Sequence, residues 1–514
     1  MISFTHKSLT EIASHQKSCD GYVFFFAEPF EAQSINYIPY FATKADMELI
    51  IKHNDFNGKA KDFFAESLIA IQEMKHVVCI GAGNIQTDTI DNIKEHIRHG
   101  CGSLVRYIEK KKLKEIVIVI DNALIQATIG YKKIIEIITE TILLSSYEFT
   151  TFITDSKKHA HNNFIITFAY DKESQQDAID GINRGVTIGN ATNNARTWGD
   201  LPPSYLYPKE FAEKALTLLK KHTTIKTTIL EKSDLEKLKM GGILGVCQGS
   251  IHEPRLLIAE YTPTNHNGKS VALVGKGVTF DTGGISIKPS DNMEDMKDDM
   301  AGGAAVISAL DALASLNAPY RIIVAVPMVE NMPSHTAIKP SDILTFYNGK
   351  TAEVKNTDAE GRLILADALS YVADIYKPDY IIDLATLTGA CSIALGPCFA
   401  AILSQQDELA LSIKKAGIVS GNRCWQLPLD DCYAPAVESE VADVCNIGRK
   451  GYKAGTITAG YFLRHFVPKT INWAHLDIAS VSMHAIGKNY IRSHGATGFG
   501  VALLVELLTQ NHLS

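Results

Sequence analysis

Apolar positions in this chain recur as short, nearly unbroken runs separated by longer amphipathic stretches. In the first 170 residues the runs are 22–26, 77–80, 115–120 and 164–168, each of strand length and each bounded by polar residues. Lysine- and glutamate-bearing stretches with helical spacing lie between them, so the pattern predicts an α/β domain. Polar Asp171-Lys-Glu-Ser-Gln-Gln then opens a long predicted helix through Arg184 and Asn194, which Pro202, Pro203 and Pro208 end. A more regular series follows, with runs at 255–261, 270–275, 321–329 and 380–385 and helical stretches such as 302–316 between several of them. Near-continuous apolar runs of this kind imply a sheet covered on both faces. Chemistry in such folds sits beyond the carboxyl ends of the strands. The expected architecture is therefore α/β throughout: a smaller domain at 1–172, and a larger one at 173–514 that opens with the linker helix and has a central mixed sheet flanked by helices.

Length supports two domains, since 514 residues exceed what one hydrophobic core covers. A chain 46% hydrophobic and 21% charged is globular, which sets aside disordered and fibrous classes. The net charge of -7 comes without a long basic run, so nucleic acid is not indicated as a partner. Met1-Ile-Ser-Phe-Thr-His-Lys lacks the order of an export signal and no apolar run reaches spanning length, so a cytoplasmic protein with no membrane partner is expected. Nine cysteines without a Cys-x-x-Cys pair read as reduced core thiols. Gly81-Ala-Gly83 lacks the third glycine of a dinucleotide loop and predicts a tight turn.

Charge is concentrated at 353–369. Asp358, Glu360 and Arg362 alternate, which in an extended segment points all three to one side. From Leu363 the spacing turns helical, with Ile364, Ala368, Tyr371 and Ile375 on one face, ending before Lys377-Pro378. At that helix start Arg362 and free backbone N–H groups favour an anion, while Asp358 and Glu360 call for cations. Those residues read either as a surface N-cap cluster or as a metal site. Lys276, directly after the 270–275 run, must be paired, neutralised or extended to solvent. In the acidic stretch 291–300, side-chain chemistry does not choose between Asp298 and Asp299 as a ligand, and a solvated loop accounts for both.

The octapeptide Asn-Thr-Asp-Ala-Glu-Gly-Arg-Leu at 356–363 resembles the defining motif of the leucine aminopeptidase (cytosol aminopeptidase) family of dinuclear metallopeptidases. The stretch from Lys276 through Asp281 to Lys288 is similar to the family's lysine, aspartate and second lysine at unchanged spacing. Further similarity lies at 330–334, 385–390, 455–459, 473–479 and 495–498. Residues 195–208 resemble the family's interdomain segment, with Trp198 and Asp200 where leucine and asparagine are usual. Other departures are His335, Ser341 and Ser480, each in place of glycine. His335 reads as an exposed loop residue.

The resemblance implies metal ligands at Lys276, Asp281, Asp299, Asp358 and Glu360, Asp299 being the aspartate directly before the methionine. Four carboxylates there are balanced by two divalent cations. The oxygen-rich set suits manganese or zinc, and also magnesium or cobalt. Lys276 would ligate as a neutral amine. Lys288 and Arg362 are the implied catalytic residues, Lys288 polarising the peptide carbonyl and Arg362 holding a bicarbonate that accepts the water's proton. Asn356 and the backbone near Leu387 would line the substrate. The implied activity is removal of N-terminal, leucine-like residues from peptides with a free N-terminus, by a homo-hexamer. A two-metal phosphoesterase is the rival on the same chemistry, although such sites usually include histidine. Some family members also bind DNA, which needs a basic surface.

Overall fold

The computed structural model describes residues 2–14, 19–28, 51–70, 73–155, 163–510 and 512–513. Two compact units divide it: Met1–Asn190 with Gly487–Ser493, and Ala191–Ile486 with His494–Ser514. The division falls inside the helix Gln175–Asp200.

In the first unit, the described residues form a six-stranded sheet from β1 (Ser3–Ser8), β2 (Gly21–Glu28), β3 (Phe63–Ala70), β4 (Glu73–Asn84), β5 (Glu115–Ile120) and β6 (Ile165–Tyr170). Their order is β1-β6-β5-β2-β4-β3. All neighbours run parallel except the β3–β4 pair. Parallel pairing explains the unbroken apolar runs, because both faces are covered: Val23, Phe25, Ile116 and Ile118 belong to one buried cluster and Tyr22, Phe24, Val117 and Val119 to another. The helices Ile90–Lys111 and Gly130–Ser146 supply Ile93, Ile97, Leu104, Ile134 and Ile138 to the first cluster. Thr89 caps the former, accepting from the Asn92 N–H, and left-handed Lys112 ends it. Gly81–Gly83 corrects an expectation, since β4 continues through Asn84 with no tight turn there. Also unforeseen is the return of 487–493 to this unit, where the Tyr490 hydroxyl donates to Glu95 at 2.8 Å and the Ser145 hydroxyl to the Tyr490 carbonyl at 3.0 Å.

The second unit is organised on β7 (Ile225–Leu230), β8 (Arg255–Tyr261), β9 (Ser270–Gly275), β10 (Gly277–Asp281), β11 (Arg321–Asn331), β12 (Ile343–Thr345), β13 (Thr351–Glu353), β14 (Tyr380–Ala385), β15 (Ala400–Leu403), β16 (Cys424–Leu427), β17 (Val444–Cys445) and β18 (Asn472–Asp477). The main sheet has the order β16-β15-β18-β14-β9-β11-β8-β7, with β10 added on β11. Its centre, β18-β14-β9-β11, is parallel, while β15–β18, β11–β8 and β8–β7 are antiparallel. The sheet is therefore mixed, with helices packed on its central strands. Ala272 and Val274 of β9 join the cluster that includes Leu363, Ile364 and Ala368 of the helix Gly361–Tyr376. Val271 and Leu273, equally buried, point to the opposite face. The helix Ala301–Ser315, whose inward residues are nearly all alanine, glycine or aliphatic, also packs on β9. Separately, β12, β13 and β17 make a small three-stranded sheet.

No helix among the described residues is long and apolar enough to cross a membrane. All nine cysteines are unpaired, and Cys398 and Cys432 are exposed rather than in the core.

Candidate metal centre

The parallel centre of the main sheet delivers its charged residues at the carboxyl ends of the strands. Lys276 follows β9 directly, its N–H bonded to the Leu384 carbonyl at 3.0 Å and its carbonyl accepting from Gly303 at 2.7 Å. Asp281 ends β10, and Asn331, which ends β11, donates to it at 2.8 Å. Asp299 closes the short 3-10 segment Met293–Asp298. Glu360 is the N-cap of the helix Gly361–Tyr376, already helical at φ -74° and ψ -37°.

That geometry corrects the extended reading of 358–362. Residues 357–358 form a turn, fixed by the Asn356 side chain accepting from the Asp358 N–H at 2.9 Å, and Arg362 lies inside the helix. Two loops are joined through buried Thr357: its hydroxyl donates to the Gly283 carbonyl at 2.6 Å and accepts from the Ser286 N–H at 2.8 Å. Gly361 is required by close approach, because a Cβ there would stand 2.6 Å from Lys276 Cε and 2.8 Å from its Nζ. At Gly283, with φ +85°, a Cβ would lie 2.8 Å from Asp358 Oδ1.

Lys276, Asp281, Lys288, Asp299, Asp358, Glu360 and Leu387 line one cavity of about 350 Å³. Lys276 does not reach solvent. The residue is 2% exposed, and its ammonium contacts Asp299 at 2.6 Å and Glu360 at 2.8 Å, with the Thr386 carbonyl at 2.9 Å. Lys288 bridges Asp281 at 2.8 Å and Asp358 at 2.6 Å. Of the two adjacent aspartates, Asp299 is the one that meets Lys276. Asn356 and Arg362 lie outside this lining. Asn356 instead shapes the Asp358 turn and accepts from the Asn446 side chain at 2.7 Å. Arg362 Nη1 donates to the Asn446 carbonyl at 2.7 Å, while its buried Nε–H finds no acceptor.

Four carboxylates and two ammonium groups leave two negative charges in excess, and the titration of the groups follows. Burial, then repulsion from Glu360, pushes Asp281 up to about 6. Burial likewise holds Asp299 well above the ordinary carboxylate range. Burial opposes the charge of Glu360 too, but Lys276 and Lys288 together keep it below its usual value. Both lysines stay protonated because the carboxylates outweigh desolvation. Burial lowers Arg362 to about 10.

Carboxylate oxygens of Asp281, Asp358 and Glu360 lie within 4.8 Å of one another, close enough to share a cation. Asp299 Oδ2 and Glu360 Oε2 are buried without a hydrogen-bond donor. Buried acceptors with no donor fit cations in addition to the two lysines. Sequence reasoning missed the residues that hold this site: Asn331, Thr386, Asn446 and Asp477. Asp477 ends β18 and accepts from the backbone of Leu387 at 3.1 Å and from the Thr388 hydroxyl at 2.6 Å. A polar residue closing an apolar strand run is the signal that marks Asn331 and Asp477. His335 is exposed.

Fold and site together define an α/β protein in which carboxylates and lysines, rather than histidines, gather around one cavity at the ends of parallel strands. The chain belongs to the cytosol aminopeptidase family: residues 193–505 match its catalytic domain and 23–156 its N-terminal domain. A probable cytosol aminopeptidase of Chloroherpeton thalassium is 48% identical over 354 residues, covering 69% of this chain and 68% of the relative. One from Nitrosococcus oceani is 39% identical over 478 residues, 91% of each chain. Among solved structures, the bottromycin maturation enzyme BotP in complex with Mn superposes with a TM-score of 0.82 at 27% identity, covering 96% of this chain and 100% of that one. Aminopeptidase activity is the activity this family membership supports.

Proposed function

We propose that this chain is a two-metal aminopeptidase that releases leucine-like residues from the free N-termini of peptides. The observation behind it is the convergence of four carboxylates and Lys276 on one cavity, with carboxylate oxygens of Asp281, Asp358 and Glu360 within 4.8 Å. Lys276, Asp281, Asp299, Asp358 and Glu360 would hold the cations, with manganese or zinc proposed. When bound, such cations supply Lewis acidity and a water that ionises near neutral pH.

The remaining work falls to side chains and backbone. Lys288 is the most exposed of the two lysines, its side chain 21% accessible, and so is the one able to swing from Asp281 and Asp358 toward a substrate carbonyl oxygen. There it would stabilise the developing negative charge. Arg362, with its Nε–H unfilled, would hold a bicarbonate or similar anion that accepts a proton. Asp477 fixes the Leu387 and Thr388 backbone against which substrate would lie. Met296, Leu387, Ala479 and Met483 give the cavity the apolar surface that a leucine side chain needs. A cytoplasmic location and a homo-hexameric assembly are proposed on the family resemblance, and light scattering reads the latter directly.

The absence of histidine from the proposed ligand set favours this reading over a two-metal phosphoesterase. Elemental analysis of purified protein tests it. Two ions per chain are expected under saturating manganese or zinc, with partial loss after brief chelation. At most one ion per chain refutes the two-metal centre.

A further inference from the structure

The second unit carries a cleft of about 1150 Å³, about three times the volume of the metal cavity, and the two have no lining residue in common. Its walls come from the turn between β12 and β13, the carboxyl-terminal half of the helix Gly361–Tyr376, the helix Gly455–Arg464 and the segment after it. The chain as a whole is negative, yet this surface is positive. Lys237 pairs with Asp234 at 3.2 Å. Lys239, Lys350, Lys377, Arg464 and Lys469 also line the cleft and, among the described residues, form no ion pair. The two carboxylates in the lining are taken by neutral donors: the Tyr347 hydroxyl donates to Asp374 at 2.7 Å and the Tyr461 hydroxyl to Asp431 at 3.1 Å. Five cations against two carboxylates leave three positive charges in excess. The helices Lys232–Lys237, Gly361–Tyr376 and Gly455–Arg464 all end at this wall, and a helix C-terminus carries about half a negative charge. Those ends offset about half of the excess and leave the rest for a ligand.

Two of the cations are placed rather than merely exposed. Arg464 Nε donates to the Gln405 side chain and Nη1 to the Val467 carbonyl, both at 2.9 Å, which fixes the guanidinium plane. The N–H groups of Nη2 are left without a partner among the described residues. Lys350 is half-buried, as Arg464 is, whereas Lys239, Lys377 and Lys469 are exposed. Lys350 and Arg464 act on one ring: they add to the burial that lowers His465, and each outweighs the opposing effect of Asp443. A fixed guanidinium edge and a half-buried ammonium, with further ammonium groups around them, suit phosphate oxygens. A single phosphate fills little of such a cleft and meets only the nearest cations. Linked phosphates reach several at once, each contact after the first being intramolecular.

We propose that this cleft binds a small condensed phosphate, two or more linked phosphate groups held by Arg464 and Lys350 with the exposed lysines around them. Such a site is independent of peptide cleavage. Calorimetry on the full metal-loaded chain in excess magnesium tests it, with orthophosphate, tripolyphosphate, ATP and adenosine as probes. Tripolyphosphate should bind at least tenfold more tightly than orthophosphate. Lys350→Gln and Arg464→Gln should each weaken it about tenfold, the effect of losing one charged hydrogen-bond partner. Should Arg464→Gln fold poorly, Lys350→Gln decides. Asp281→Ala, expected to lose metal from the other cavity, should leave tripolyphosphate binding unchanged. ATP bound more tightly than tripolyphosphate, with adenosine alone unbound, assigns a nucleotide, and equal affinities assign an inorganic ligand; either result supports the site. Binding lost in Asp281→Ala but kept in Lys350→Gln puts the anion on the metals and overturns it. So do a lack of tripolyphosphate binding at millimolar concentration, tighter binding of an acidic peptide or duplex DNA that Lys350→Gln abolishes, and loss of binding only in variants that light scattering shows to be disassembled.

Discussion

Replacing Lys276 with methionine keeps the aliphatic stem but removes the ammonium that Asp299 and Glu360 share at 2.6 and 2.8 Å. The three groups are 2, 7 and 2% exposed, and removing one partner from such a buried arrangement costs about 3–5 kcal/mol. Proton uptake limits that cost. In the metal-free variant the carboxyls, Asp299 already well above its usual range, bind protons more tightly folded than unfolded. Their effect is absent at low pH and destabilises the variant as pH rises from the unfolded carboxyl pKa toward the folded one. In the parent, Lys276 has a folded pKa raised by those carboxylates. Its contribution is complete below the unfolded value of about 10.4 and so is constant between pH 6 and 9. The gap between parent and variant therefore widens with pH. At roughly 2 °C per kcal/mol for a chain of this size, thermal unfolding in chelator should show Lys276→Met about 6–10 °C lower at pH 8.5 and closer to the parent at pH 6. Equal midpoints at both pH values refute the idea that Lys276 is the internal counter-ion of the metal-free site.

Lys288→Ala and Arg362→Ala should each reduce turnover while elemental analysis shows metal retained, Lys288→Ala by about two to three decades, the value of one stabilising donor. Full turnover at saturating substrate would remove Lys288 from the mechanism. Asp281→Ala should lose bound metal, and a variant with parental metal content excludes Asp281 as a ligand. His465 is pushed down to about 4 by burial, with Lys350 and Arg464 adding to it. A base depressed in the folded state contributes stability above its unfolded pKa and loses it as pH falls from ~6.5 toward that value. His465→Gln should therefore flatten the urea-unfolding stability between pH 7 and 5, by on the order of 1 kcal/mol once solvent screening at this half-buried ring is allowed for, and an unchanged slope refutes it.

The sequence made the central strands legible because parallel strands buried on both faces read as plain apolar runs, and β5, β8, β9 and β14 coincide with such runs. It misled where a local rule met tertiary packing. Gly81–Gly83 looks like a turn, but Gly81 lies so close to the Lys59 carbonyl that only a residue without Cβ fits, and the strand simply continues. Alternation at Asp358, Glu360 and Arg362 suggested a shared extended face, yet the helix begins at Gly361 and turns Arg362 toward Asn446. The return of Tyr490 and Arg492 to the first unit had no local signal, since contacts made nearly 400 residues away from their partners leave no periodicity. Lys276 was ambiguous for a related reason: a lysine after a strand is ordinary until the three-dimensional position of Asp299 and Glu360 is known.

Cleavage of a matched peptide pair tests the central claim most directly. A leucine-led peptide and its N-acetylated form are incubated with the manganese-loaded chain between pH 7 and 8.5 and followed by mass spectrometry. A free amine can coordinate a cation only when unprotonated, and its pKa lies near ~7.7 to 8.0, so first-bond cleavage of the free peptide should increase across that range. The acetylated peptide, with neither basicity nor a lone pair to offer, should remain intact. Comparable cleavage of both peptides, or release of an internal fragment first, would contradict an amine-anchored aminopeptidase.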